Sequence, residues 1–208
     1  LNHLSVEQNL LTALDVSNNT ALTYLYCQDN QLTSLDVSNN TALTIMGCYN
    51  NQLTSLDVSN NTALISLSCQ LNDLTALDVS ANTALTSLSC HQNYQLTALD
   101  VSANTALTTL NCSSNQLTSL DVSANTALTT LSCHSNQLTS LDVSANTALT
   151  TLYCGDNQLT YLNMRNGITD ALTTFNAANN SNLTCIEILD PDYATANWTF
   201  ANGNIDEG

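Results

Sequence analysis

The chain has 208 residues and a formal net charge of -16, with 17 acidic side chains against a single basic one, Arg165. One arginine cannot replace the counterions around a nucleic acid or hold a chain on an anionic lipid surface, so both are excluded as partners. No apolar run reaches the roughly 20 residues of a membrane span, which excludes membrane insertion by a helix.

The polar share is Asn, Thr, Ser and Gln, since charged residues make up only 9% of the chain. Its polarity is therefore neutral and hydrogen-bonding. So much like charge suits a saline, extracellular setting, because salt shortens the range of repulsion. The chain opens in mid-pattern at Leu1-Asn2-His3-Leu4-Ser5-Val6, without the basic start and apolar stretch of an export signal. It is expected to be a fragment of a longer exported precursor.

Leu14-Asp15-Val16-Ser17 begins a phrase that returns at Leu35, Leu56, Leu77, Leu99, Leu120 and Leu141, a period of 21 residues with one interval of 22. The extra residue falls near Tyr94, between Asn93 and Gln95, and marks a loop. In the unit from Leu22 to Ala42, Leu25 and Cys27 alternate with Tyr24, Tyr26 and Gln28, the period of two of a short strand with one buried face. Leu35 and Val37 around Asp36 repeat the logic. Each unit therefore predicts two strand-like half-turns and no helix. From Asn163 the spacing loosens, and Pro191, Tyr193, Trp198 and Phe200 point to a carboxyl-terminal cap. The expected division is a solenoid over 1–162, then the last coil and cap over 163–208. No matching amino-terminal cap is visible.

Four columns run down the repeat. Cys27, Cys48, Cys69, Cys90, Cys112, Cys133 and Cys154 share one slot, and Cys185 stands apart. Stacked strands hold such side chains about 4.8 Å apart, whereas a disulfide wants Cβ atoms near about 3.8 Å. The column reads as small buried hydrophobes rather than disulfides or a zinc site. Asn30 and its counterparts from Asn9 to Asn180 are expected to satisfy backbone groups where the coil turns and to bond one another along the stack, with Asn40 and its counterparts doing so at the opposite turn. Asp15, Asp36, Asp57, Asp78, Asp100, Asp121 and Asp142 form an acidic edge. Calcium wants about six to eight oxygens, and the repeat sets no second carboxylate beside each Asp, so a solvated edge is expected.

The first eleven positions of each unit match the leucine-rich-repeat signature L-x-x-L-x-L-x-x-N-x-L, with Cys27 in the third apolar slot. The phrase resembles the short bacterial leucine-rich repeats with a cysteine ladder, the group to which internalin J belongs. Asn163-Met164-Arg165-Asn166-Gly167, Asn182-Leu183-Thr184-Cys185-Ile186 and Tyr193-Ala194-Thr195-Ala196-Asn197-Trp198-Thr199 are similar to the ends of repeat domains in secreted flavobacterial proteins. The resemblance implies a β-rich solenoid, a leucine-rich-repeat right-handed superhelix with short parallel strands on the concave side, extended segments on the convex side and no regular helices. It also implies export and a role in surface attachment or ligand capture.

The outward slots of the first strand are small and polar except where they hold Tyr24, Tyr26, Ile45 and Tyr49, with His91, His134 and Tyr153 further along. These seven residues are the candidate ligand-binding surface. His91 and His134 lie two coils apart, about 10 Å, too far to share a proton or a metal. No nucleophile elbow, phosphate loop, carboxylate pair, cofactor motif or metal set appears, and no enzyme is expected. The expected function is a secreted or cell-surface, monomeric binding module for an extracellular protein or glycan. A passive spacer is the alternative, and ice binding by Thr109, Thr130 and Thr151 is disfavoured because the rows are single.

Overall fold

The computed structural model describes residues 1–199 and 201–205; Phe200, expected in the cap, lies outside the described residues. Among these, the chain forms in order β1 (His3–Ser5), β2 (Tyr24–Tyr26), β3 (Ile45–Gly47), β4 (Ser66–Ser68), β5 (Ser87–Ser89), β6 (Thr109–Asn111), β7 (Thr130–Ser132), β8 (Ser140–Asp142), β9 (Thr151–Tyr153), β10 (Tyr161–Asn163), β11 (Thr174–Asn176), β12 (Cys185–Glu187) and α1 (Pro191–Asn197). Each coil gives one strand to a nine-stranded parallel sheet, β1-β2-β3-β4-β5-β6-β7-β9-β11, while β8, β10 and β12 pair in a smaller sheet. Successive strands stack in phase, with Leu25 beside Leu4 and Met46 beside Leu25. The 22-residue interval leaves this register whole, since Leu88 still faces Leu110; its extra residue is taken up in the turn, where the Leu96 N–H reaches Asn93 O at 2.8 Å.

Alternation explains the strands. The middle residue of each strand points inward, and Leu22, Leu25, Cys27, Leu32 and Val37 are wholly buried, with their counterparts buried down the stack as far as Met164. Burying one such leucine is worth about 1.5–3 kcal/mol, yet a lone coil has nothing to bury it against, so the gain comes from neighbouring coils. All seven ladder cysteines are buried and free, while Cys185 is exposed.

The turn after each cysteine slot forces one residue into the left-handed region, at Gln8, Asp29, Asn50, Leu71, Gln92, Ser114, Ser135, Asp156 and Asn179. The next residue is the ladder asparagine. Asn51 accepts the Leu32 N–H at 3.0 Å and donates to Cys27 O at 3.1 Å and Cys48 O at 3.0 Å. The bonds along the stack run from side chain to backbone, as where Asn115 accepts the Asn93 N–H at 2.9 Å. Each ties its own backbone to that of the preceding coil, which uses donor and acceptor together. At the opposite turn Asn61 donates to Val37 O at 3.0 Å and Asn40 O at 2.9 Å.

Two expectations need correction. The second half-turn becomes a regular strand only at β8, β10 and β12; in earlier coils Leu-Asp-Val is extended without a ladder. The cap also holds a regular helix, contrary to the expectation of none. Its start is specified locally: Asp190 accepts the Tyr193 N–H at 3.0 Å, and Pro191 fixes φ in the first turn without removing a needed donor. Beyond it Trp198 packs on Phe175 with ring centroids 4.5 Å apart. Asn204 then accepts the Ala177 N–H and donates to Phe175 O, both at 2.7 Å, which closes the edge of β11.

Candidate binding face

The outward side of the nine-stranded sheet is shaped by short strands whose odd positions face away from the core. On β2 and β3 this sets Tyr24 beside Ile45 and Tyr26 beside Gly47. Tyr24 is 38% exposed, and Tyr26, Ile45 and Tyr49 are half-buried. His3 on β1 adds a fourth ring, with centroids 5.7 Å from Tyr24 and 5.6 Å from Tyr26. Tyr49 follows the cysteine of the third coil, and its carbonyl accepts the Asp29 N–H at 3.1 Å. Gly47 keeps the floor low: a Cβ there would stand 3.1 Å from the Gln28 Oε1 and 3.4 Å from the Tyr26 ring, so the Gln28 amide lies over the glycine. His3, Tyr24 and Tyr26 make an aromatic platform at one end of the face, with Tyr49 in the next coil.

The other candidates do not join it. His91 and His134 sit in the fifth and seventh coils with Ser113 in the slot between them. The His91 Nδ1 meets Ser89 Oγ at 2.9 Å and the His134 Nδ1 meets Ser135 Oγ at 3.0 Å, so each ring is tied to a local hydroxyl. Partial burial lowers the His91 pKa, and the charge of His134 lowers it further. Tyr153, 39% exposed, stands alone beside Ser132 and Asn176. His3 was missed in the sequence, although it fills the outward slot one coil before Tyr24. Leu71, 38% exposed, and Tyr94, 60% exposed, were also missed as surface features. Leu71 betrays itself as the one aliphatic residue in a column that otherwise holds only polar side chains.

On the second side of each coil the Asp row is fixed by local hydrogen bonds. Asp57 accepts the Ser59 N–H at 2.9 Å. The Ser59 side chain and N–H hold its carboxyl below the usual range, against some desolvation and the like charges of Asp36 and Asp78. Among the described residues no group of three or more His, Cys, Asp or Glu is placed to hold a metal ion. No helix among them is long and apolar enough to cross a membrane.

The family model described as Leucine Rich repeats (2 copies) matches residues 105–146, and the LVIVD repeat model matches residues 22–51. Both stretches contribute neighbouring strands to the one parallel sheet. No curated protein matches the chain. Among solved structures the chain is similar to the functional domain of InlJ from Listeria monocytogenes, which includes a cysteine ladder, with 39% identity, a TM-score of 0.78, and 95% of this chain against 52% of that one. An internalin (inlF) from Listeria monocytogenes shares the fold at 24% identity and a TM-score of 0.75, covering 95% of this chain and 57% of that one. YopM from Yersinia enterocolitica is 26% identical with a TM-score of 0.69, over 91% of this chain and 40% of that one. The chain spans about half the length of the two Listeria domains.

Proposed function

Because the chain is a leucine-rich-repeat solenoid with a cysteine ladder, we propose that it is a non-enzymatic, monomeric binding module of a secreted or cell-surface bacterial protein. It takes an extracellular protein or glycan on the nine-stranded face. The observation that carries this reading is the group of Tyr24, Tyr26, Tyr49 and His3; most other coils fill the two outward strand slots with Ser, Thr or Asn, and none of them places a tyrosine in the Tyr49 slot. Tyrosine offers a wide apolar face and a polar tip at small entropic cost, which suits sugar stacking and protein hot spots alike. A rigid solenoid presents that surface already formed. The bacterial and flavobacterial resemblance of the repeat and cap supports export. Residues 1–162 act as the solenoid and 163–208 as its last coil and cap.

Glycan and protein arrays probed with the whole chain, with and without calcium, are expected to yield a ligand whose affinity drops when Tyr24, Tyr26 and Tyr49 are all changed to Ser. That variant places in each slot a residue that at least one other coil carries there and leaves the inward column alone, so it folds. Unchanged affinity for an array ligand in the triple variant rules the platform out. A spacer is the second reading, favoured by the uniform strand faces of β4 to β7, whose outward residues are all Ser, Thr or Asn.

A further inference from the structure

We propose that the turn edge of the fourth and fifth coils, built on Leu71, Asp73 and Tyr94, is an interaction surface for a protein segment that sets an apolar side chain beside a lysine or arginine. The inference rests on the reading of the solenoid as a binding module and not on the tyrosine platform. The repeat serves as its own reference. At the left-handed turn position the other eight described coils place Gln, Asp, Asn or Ser, while the fourth places Leu71 at φ 56°. A bulky aliphatic side chain is an outlier there, since only Gly, Asn and Asp visit that region readily. Leu71 is nevertheless 38% exposed, so it carries backbone strain without filling the core. Strain held in place by the surrounding structure points towards function.

Two further departures adjoin it. Two residues on, where the neighbouring coils have Gln31, Gln52, Gln95 and Gln116, the fourth coil has the exposed Asp73. In the next coil the single inserted residue is Tyr94, 60% exposed. It is held rather than loose: its hydroxyl accepts from Gln92 Nε2 at 3.1 Å and its carbonyl from Gln116 Nε2 at 2.5 Å. Gln92 is the turn residue stacked next to Leu71, whose N–H reaches His91 O at 3.0 Å. An aliphatic side chain, an aromatic ring and a carboxylate thus share one edge of a chain whose sole cation, Arg165, lies beyond this region and is paired with Glu187 at 3.8 Å. Charge complementarity therefore asks the partner for a cation, and Leu71 and Tyr94 ask it for apolar surface.

The whole chain would be used to select from a random peptide display library. The recovered peptides are expected to pair Lys or Arg with Leu or an aromatic residue and to weaken as salt rises. Their affinity should fall about tenfold or more in the variant Leu71→Asn/Asp73→Gln with Tyr94 deleted, and hold in the triple Tyr→Ser variant. Leu71→Asn alone should melt higher than the parent, because the strain is relieved. Peptides without the basic and apolar pairing, peptides whose binding ignores the restored edge, or a lower melting point for Leu71→Asn would each overturn the proposal. Binding lost only in the triple Tyr→Ser variant would overturn it while leaving the platform reading in place. A glycan-array signal abolished by the restored edge would overturn it in favour of a sugar site.

Discussion

A thiol in a column of leucines is governed by what burial does to its charged form. Desolvation pushes Cys27, Cys90 and Cys154 up to about 12 and holds Cys48, Cys69, Cys112 and Cys133 well above the ordinary value of 9.0. The thiolate is the nucleophile, so iodoacetamide at mildly alkaline pH should modify the exposed Cys185 in the native chain and all eight cysteines after denaturation. Native alkylation of a ladder cysteine would contradict the burial. The same shifts fix the sign of the alkaline pH dependence. Folded-state pKa values are raised, so this stability is fully present below about pH 8.5 and is lost as pH rises towards 12. The urea midpoint should hold to about pH 8 and then drop steeply. At the ladder turns, Asn72 accepts from Leu53 N–H at 3.0 Å and donates to Cys48 O and Cys69 O at 3.1 Å, whereas Asn82 donates to two carbonyls and its Oδ1 meets no protein donor. Asn72→Ala leaves the buried Leu53 N–H unpaired and takes one donor each from Cys48 O and Cys69 O, which keep the Asn51 and Asn93 amides. It should cost about 2–4 kcal/mol, with Asn82→Ala about 1 kcal/mol milder, as read by chemical denaturation.

At the scale of the element, charge decides where the second side of the coil becomes sheet. In most coils Asp faces Asp, and like charges opposite one another oppose pairing. β8 and β10 break that pattern because Asn163 stands opposite Asp142 and donates to its Oδ2 at 3.0 Å. The Val143 N–H then reaches Asn163 O at 2.9 Å. Asn163→Asp should keep the local turn, since the Arg165 N–H needs only the Oδ1 it already uses. It should nonetheless lower amide protection at Val143 and along β10, and protection unchanged at low salt would refute the charge argument. This is also why the smaller sheet could not be read from the sequence: the same apolar-polar-apolar alternation runs through every coil, and the β8–β10 pairing turns on one Asn for Asp exchange. The large sheet was legible because every coil repeats the same inward pair, an apolar strand residue and, in seven coils, a Cys two positions on. Helix α1 was not, for it occurs once and rests on Asp190-Pro191 alone. The tyrosine platform was legible as a break in the outward slots. The strain at Leu71 was not, because a left-handed turn position shows itself only once the backbone is traced.

For the molecule as a whole, the one-dimensional stack determines how damage spreads. A coil touches only its neighbours, so stability is close to a sum of coil and interface contributions, and the ends are where it fails first. The carboxyl-terminal end is closed by Trp198, 7% exposed and stacked on Phe175, and by the Asn204 bonds to Ala177 and Phe175. Trp198→Ala removes a large buried ring and should cost about 3–5 kcal/mol at that end. In a globular domain such a loss would lower protection everywhere, because unfolding there is all-or-none. In this chain it should fray β11 and β12 while β4, β5 and β6 keep their protection, since no contact between those strands involves the cap. Amide exchange resolved by segment separates the two cases. A uniform fall from β2 to β11 would mean that the coils are coupled far more tightly than nearest-neighbour stacking allows. A gradient confined to the last two coils would fit a stack in which each coil leans on the next. The remaining solenoid should then lose stability further at low salt, where the net charge of -16 is least screened.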